Sequence, residues 1–130
     1  MASRSTSPEP GGTERAALAR LLRFYAQEEE LYARILAFAE QQEEIVRTGA
    51  AIGEIRGLLE RKQDCLDEVG RIETAEHATR TAWEREHGAW SADGRAQLLA
   101  ARARITTLIE EILACEERND RELIAQTTVV

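Results

Sequence analysis

From Leu18 to Val46 the chain reads LARLLRFYAQEEELYARILAFAEQQEEIV, about eight helical turns without a Gly or Pro. Its apolar residues recur every seven positions. Leu18, Tyr25, Tyr32, Ala39 and Val46 form one row, and Phe24, Leu31, Phe38 and Ile45 a second, one residue earlier. Leu21 with Ile35 and Leu22 with Leu36 add a third and a fourth. A two-stranded coiled-coil seam uses only two such rows. A helix carrying four must be covered on more than one side. Both Phe and both Tyr of the protein lie in this stretch.

The rest of the chain supplies the cover. Thr48-Gly49 ends the first helix, with Gly as the left-handed stop residue. A second helix starts near Ala50 or Ala51, its seam reading Ile52, Ile55, Leu59, Lys62, Leu66, Val69 and Ile72. The pattern then weakens before Trp83 and Trp90, and the helix ends near Glu86 to Gly88. Gly53, Gly57 and Gly70 each cost roughly 1 kcal/mol relative to Ala in a helix, unless a neighbouring backbone approaches there. His87 to Gly94, with two Gly and the cap formers Ser91 and Asp93, reads as a turn. The third helix runs from Ala92 or Arg95 to Ala125, with inner rows of Leu98, Ala101, Ile105, Leu108, Ile112, Cys115, Asn119 and Leu123.

These elements predict an all-α fold: an antiparallel bundle of three long helices, a coiled-coil-like hairpin plus a third helix. The bundle domain spans 13–126, with Thr13 capping its first helix. Residues 1–12, rich in Ser, Pro and Gly, form a disordered tail, and 127–130 a frayed end. The expected core joins Ile35 and Leu36 to Leu59 and Leu66, and to Ile105 and Ile112. Because Thr48-Gly49 is a weak break, an unbroken rod from Leu18 to Ile72 remains the competing geometry.

With 43% apolar and 32% charged residues and only two Pro, the composition suits such a bundle. The net charge of −7 is spread evenly, so no basic segment is available for nucleic acid or for an anionic lipid surface. No apolar run is long enough for membrane insertion, and the N-terminus does not read as a secretory signal, so a cytoplasmic location is expected. Cys65 and Cys115 are isolated and lack ligand spacing. Glu84 and His87 match half of a di-iron carboxylate motif, but His77 is preceded three residues earlier by Thr74, not Glu. Gly53 and Gly57 lack the Lys of a phosphate loop. No enzyme activity and no cofactor are expected.

The segment ELYARILAFAEQQEEIVRTGAAIGEIRGLLERKQDCLDEVGRIE resembles the FlgN-type flagellar export chaperones. The likeness is carried by Leu31-Tyr32 after an acid, Ile35-Leu36, Gln42, Ile45, the Thr48-Gly49 break, Ile55, Leu58-Leu59, Lys62, Leu66 and Ile72. Asn119 and Leu123-Ile124 in EEILACEERNDRELI extend it into the last helix. Ala50 stands where an acid is expected, and Gly53 and Gly57 are unusual. The resemblance implies a cytoplasmic, non-enzymatic chaperone. Its partners would be the helical C-terminal segments of hook-associated (junction) proteins before secretion. Contacts with export-apparatus components and weak self-association are compatible with that role. The competing reading is a homo-oligomeric coiled-coil scaffold without a client.

A client helix needs apolar surface that the bundle does not consume. The third helix offers Leu108 and Ile112 on one line, Ile109 and Leu113 on the next, then Leu123 and Ile124. Two outcomes compete: the surplus rows cover one another, or Ile109, Leu113 and Ile124 stay partly open to a client.

Overall fold

Two glycines divide the chain. Gly49 and Gly88 have φ of 75° and 80°, the left-handed region that stops a helix at little cost for Gly. The Gly49 amide donates to the Val46 carbonyl at 3.2 Å, and the Gly88 amide to that of Glu84 at 2.8 Å. The computed structural model describes residues 10–49 and 52–128. Between and around the stops lie α1 (Pro10–Thr48), α2 (Ile52–His87) and α3 (Ala92–Thr128). The fold is an all-α three-helix bundle, and the single rod does not form.

α1 begins three residues before Thr13. Proline suits a first helical turn, where its missing N–H would have had no partner, and Pro10–Gly12 therefore join the helix. Residues 1–9 of the expected tail lie outside the described residues, as do Ala50, Ala51, Val129 and Val130. α3 runs on past Ala125 to Thr128.

α1 is the central element. α2 returns antiparallel to it, so that the Tyr25 hydroxyl meets Glu76 and Gln42 meets Lys62. α3 runs parallel to α1 in a nearly constant register, pairing Glu29 with Arg104, Glu43 with Arg118 and Val46 with Gln126. Leu18, Leu21, Tyr25, Trp90, Leu98, Ala101 and Ile105 make one core cluster. Leu31, Ile35, Cys65, Val69, Ile72 and Ile112 make the other, drawn from all three helices. The α3 inner row is as its sequence reads: Leu98 to Asn119 point inward, and Leu108 and Leu123 are half-buried.

α2 is rotated from the expected face. Its buried residues are Leu58, Lys62, Cys65, Val69, Ile72 and Glu76, whereas Ile52, Leu59 and Leu66 are exposed. Two apolar stripes, about 100° apart on the helix, compete for α1. The one ending in Glu76 also offers that acid to Tyr25, at 2.9 Å, and so wins a polar partner as well as apolar cover. Leu36 is half-buried rather than central. A Cβ at Gly53, Gly57 or Gly70 would meet nothing within 4 Å, so no backbone approaches them among the described residues.

The far turn is closed by α1. Ser91 Oγ accepts from the Gly94 amide at 3.0 Å, as an N-cap should. A capping box would draw its acid from the residue at 94, but that residue is Gly. Glu14 of α1 replaces it: its carboxylate accepts from the Ser91 amide at 2.8 Å and from the Ser91 hydroxyl. Beside this cap Trp83 and Trp90 stack with ring centroids 4.0 Å apart.

Candidate functional site

α1 approaches both other helices, but no Cα of α2 comes within 8 Å of a Cα of α3 among the described residues. Their side chains meet across α1 and leave a trench above it. Tyr32 and Ile35 of α1 form its floor. Lys62 and Leu66 form the α2 wall; Ile109, Ile112, Leu113 and Glu116 form the α3 wall. The hollow holds about 320 Å³. That is the lower edge of small-molecule pocket sizes, but the two charged groups in its lining, Lys62 and Glu116, are bonded to each other. Its shape and chemistry suit an apolar helix face better.

The walls follow from the rotation of α2. With Leu58 and Cys65 turned to α1, the neighbouring Leu59 and Leu66 are carried toward the α3 side, and Leu66 keeps 44% of its surface exposed. On α3 the positions flanking the core row do the same, and Leu113 is 60% exposed. At this level Lys62 crosses between the walls. Its ammonium, on a residue only 6% exposed, donates to Glu116 Oε2 at 2.6 Å and to Gln42 Oε1 at 3.3 Å. One turn further along α3, Asn119 donates to the Ala39 carbonyl at 3.1 Å.

Toward the tryptophans the same face changes character. There it is lined by Arg80 and Glu84 of α2 and by Arg95, Leu99 and Arg102 of α3. Arg80 is held by Glu76 at 2.8 Å, and Arg95 donates to the Trp90 carbonyl at 2.7 Å. Glu84 accepts from Trp90 Nε1 at 2.8 Å. Arg102 is exposed and makes no hydrogen bond or ion pair among the described residues. Below this end lies Glu28, 3% exposed, with Oε2 unpartnered. Burial first, then Glu73 and Glu76, push its carboxyl up to about 7. Burial and the hydrogen bond to Glu76 push the Tyr25 phenol up to about 12.

Of the six α3 residues expected at a client surface, Ile109, Ile112 and Leu113 line the trench. Ile112 is itself buried in the core, and Ile109 is half-buried against the tryptophan-end cluster. Leu108, Leu123 and Ile124 are not in its lining; the first two are half-buried and Ile124 is exposed. The α1 row of Phe24, Leu31 and Phe38 is spent on the core. Leu66, Tyr32, Lys62 and Glu116 went unrecognised as trench residues. The signal for the α2 wall lies in its sequence, where Ile52, Leu59 and Leu66 repeat every seven residues beside Leu58, Cys65 and Ile72.

The remaining chemical candidates have structural partners. The His87 ring packs on Trp83 with centroids 4.8 Å apart. Among the described residues no group of three His, Cys, Asp or Glu is placed to hold a metal ion. Cys65 and Cys115 are free and buried; burial, then Glu43, raises the Cys115 thiol pKa. No helix among the described residues is long and apolar enough to cross a membrane. No protein-family model, curated protein or solved structure matches the chain.

Proposed function

We propose that the protein is a cytoplasmic helix-holding chaperone of the flagellar export type, taking the amphipathic C-terminal helix of a junction subunit before secretion. One observation carries this reading: the trench between α2 and α3, whose apolar walls no fourth helix covers among the described residues. An amphipathic helix laid there would complete a four-helix arrangement, burying Leu66 and Leu113 from opposite sides. Each such side chain contributes roughly 1.5–3 kcal/mol before ordering costs are subtracted. That suits a reversible hold, released when the client pairs elsewhere.

The test is calorimetric titration with peptides copying the C-terminal helices of junction subunits, alongside the solution mass of the chain alone. Binding that Leu66→Ser with Leu113→Ser abolishes, at an unchanged melting temperature, supports the proposal. A stable oligomer that binds no peptide would instead favour the scaffold, with copies of the chain covering the trench.

A further inference from the structure

We propose that the trench takes an amphipathic helix with a basic flank, seated with its Lys or Arg side chains along the outer rim of α3. The inference rests on the trench being a helix dock, and it adds the chemistry of the guest.

Along the sequence the net charge of −7 is even, but folding gathers it. The Glu29–Arg104 pair marks a level across the bundle, with the trench on the Gly49 side of it and the tryptophans on the other. On the trench side, residues 29–48, 52–72 and 104–128 carry 16 acidic side chains against nine basic ones, the whole excess of the chain. The rest of the chain is balanced, eight against eight, and there Arg80, Arg95 and Arg102 are matched by Glu73, Glu76 and Glu84.

Most of the cations that could cancel the excess at the trench are already engaged. On α3, Thr106, Glu110, Leu113, Glu117, Asp120 and Ile124 recur at spacings of three and four, so they share one face. Leu113 places that face on the trench. Glu117 holds Arg121, while Glu110 and Asp120 are exposed and make no hydrogen bond or ion pair among the described residues. Arg118 is turned away to Glu43 of α1, and Lys62 is bonded to Glu116 and Gln42. On the α2 rim Arg56 is outnumbered by Glu60 and Asp67. The apolar walls therefore sit inside an acidic border, heavier on the α3 side.

A helix laid between Leu66 and Leu113 has two flanks, one over each wall, in the positions where charges choose partners between packed helices. Lys or Arg on the α3 flank meets Glu110 and Asp120, whereas Glu there meets like charge. A second copy of the chain is the poorer guest. Of its six exposed large apolar side chains among the described residues, five (Ile52, Leu59, Leu66, Leu113 and Ile124) lie in the same acidic half. Pairing them would set acid against acid.

The probes are designed peptides of about 21 residues, roughly 30 Å as a helix, with one apolar stripe and with Lys, Gln or Glu at the flank positions. Calorimetry at low salt is expected to rank them Lys, then Gln, then Glu, with about tenfold between the first two. The gap should close as salt is raised. Glu110→Lys with Asp120→Lys should abolish or reverse that order, and Glu110→Gln with Asp120→Asn, the milder pair, should narrow it. Glu111→Lys with Glu122→Lys makes the same change of charge on the α3 face that carries Arg118, away from the trench, and should preserve it. Two results would overturn the basic flank and leave the dock standing, provided Leu66→Ser with Leu113→Ser abolishes binding. One is equal binding by the three peptides; the other is an order that the Glu111 and Glu122 changes erase as fully as the Glu110 and Asp120 changes. No binding by any peptide, or binding indifferent to the Leu66 and Leu113 change, would overturn both. So would a stable dimer of the free chain that this double change splits.

Discussion

Gly94 lacks a side chain where Glu14 needs the space: a Cβ built on Gly94 would sit 2.8 Å from Glu14 Oε2. The helix that begins at Ala92 thus takes its capping acid from a residue 77 positions before its cap, Ser91. Hydrogen bonds from Ser91 hold the Glu14 carboxyl below the usual carboxylate range. A depressed folded pKa gives stability that is present above the unfolded value of 4.5 and lost as pH falls through the folded one.

Glu14→Ala should therefore lower the melting temperature at neutral pH and speed hydrogen exchange at the Ser91 amide, with the difference from the parent shrinking in acid. Adding Gly94→Glu should restore part of both by supplying the acid locally. Unchanged Ser91 exchange in Glu14→Ala would show that the cap does not operate in solution.

Leu58 and Leu59 are neighbours on opposite sides of the decision that orients α2. Leu58→Ala should cost about 2–4 kcal/mol, because it opens a cavity against α1. Leu59→Ala, at an exposed position, should cost within about 0.5 kcal/mol. Chemical denaturation of the pair checks it, and equal losses would mean α2 is rotated from its described setting.

Glu28 should make stability fall with pH. Its folded pKa is raised, so the native chain holds the proton more tightly than the unfolded one. Stability is then greatest below the ordinary value of 4.5, declines through the interval up to about 7, and is level above it. Glu28→Gln should remove that slope and stabilise the chain at pH 8 by on the order of 2 kcal/mol. Melting temperatures of the two proteins across this interval test it as a difference, which cancels the opposite slopes of Glu14 and of Glu43, whose carboxyl the hydrogen bond from Arg118 holds low.

Lys62 and Gln42 are worth more as partners than as polar groups. Lys62→Ala should cost about 2–3 kcal/mol, since it leaves the buried Gln42 carbonyl without its donor. Lys62→Met combined with Gln42→Leu should come within about 1 kcal/mol of the parent, because the matched apolar pair leaves no buried group unpaired and the Glu116 carboxylate, 37% exposed, turns to water. Equilibrium unfolding in urea measures both.

What the sequence reveals depends on how many stripes a helix offers. α3 has one continuous inward row, and Leu98 through Asn119 are legible from spacing alone. α2 has two, and apolar spacing cannot choose between Leu58 and Leu59. The choice rests on Tyr25 and Glu76, which are 51 residues apart and invisible to any local pattern. Charges mislead for the same reason. Glu76 and Arg80 have the i,i+4 spacing of a solvated helix pair, yet Glu76 is buried and serves Tyr25 as well. Glu43 and Arg47 share that spacing, but Glu43 bonds Arg118, and Arg47 turns to Glu44. Most of the α3 wall is legible because Ile112 belongs to a readable row and Ile109 and Leu113 flank it. The opposite wall was hidden by the rotation of α2.

The pairing of α1 with α3 also orders the assembly of the chain. The α1–α2 hairpin can zip outward from Gly49: Gln42 and Lys62 are 20 residues apart, and each later contact closes only a little more chain. Parallel helices have no near end. Glu14 with Ser91 spans 77 residues and Val46 with Gln126 spans 80, so every first contact between α1 and α3 carries nearly the same long-loop entropy. Pulse-labelled hydrogen exchange should therefore find α1 and α2 protected before α3. The last helix to arrive is the one that creates the trench, so the unfinished chain has a hairpin but no trench.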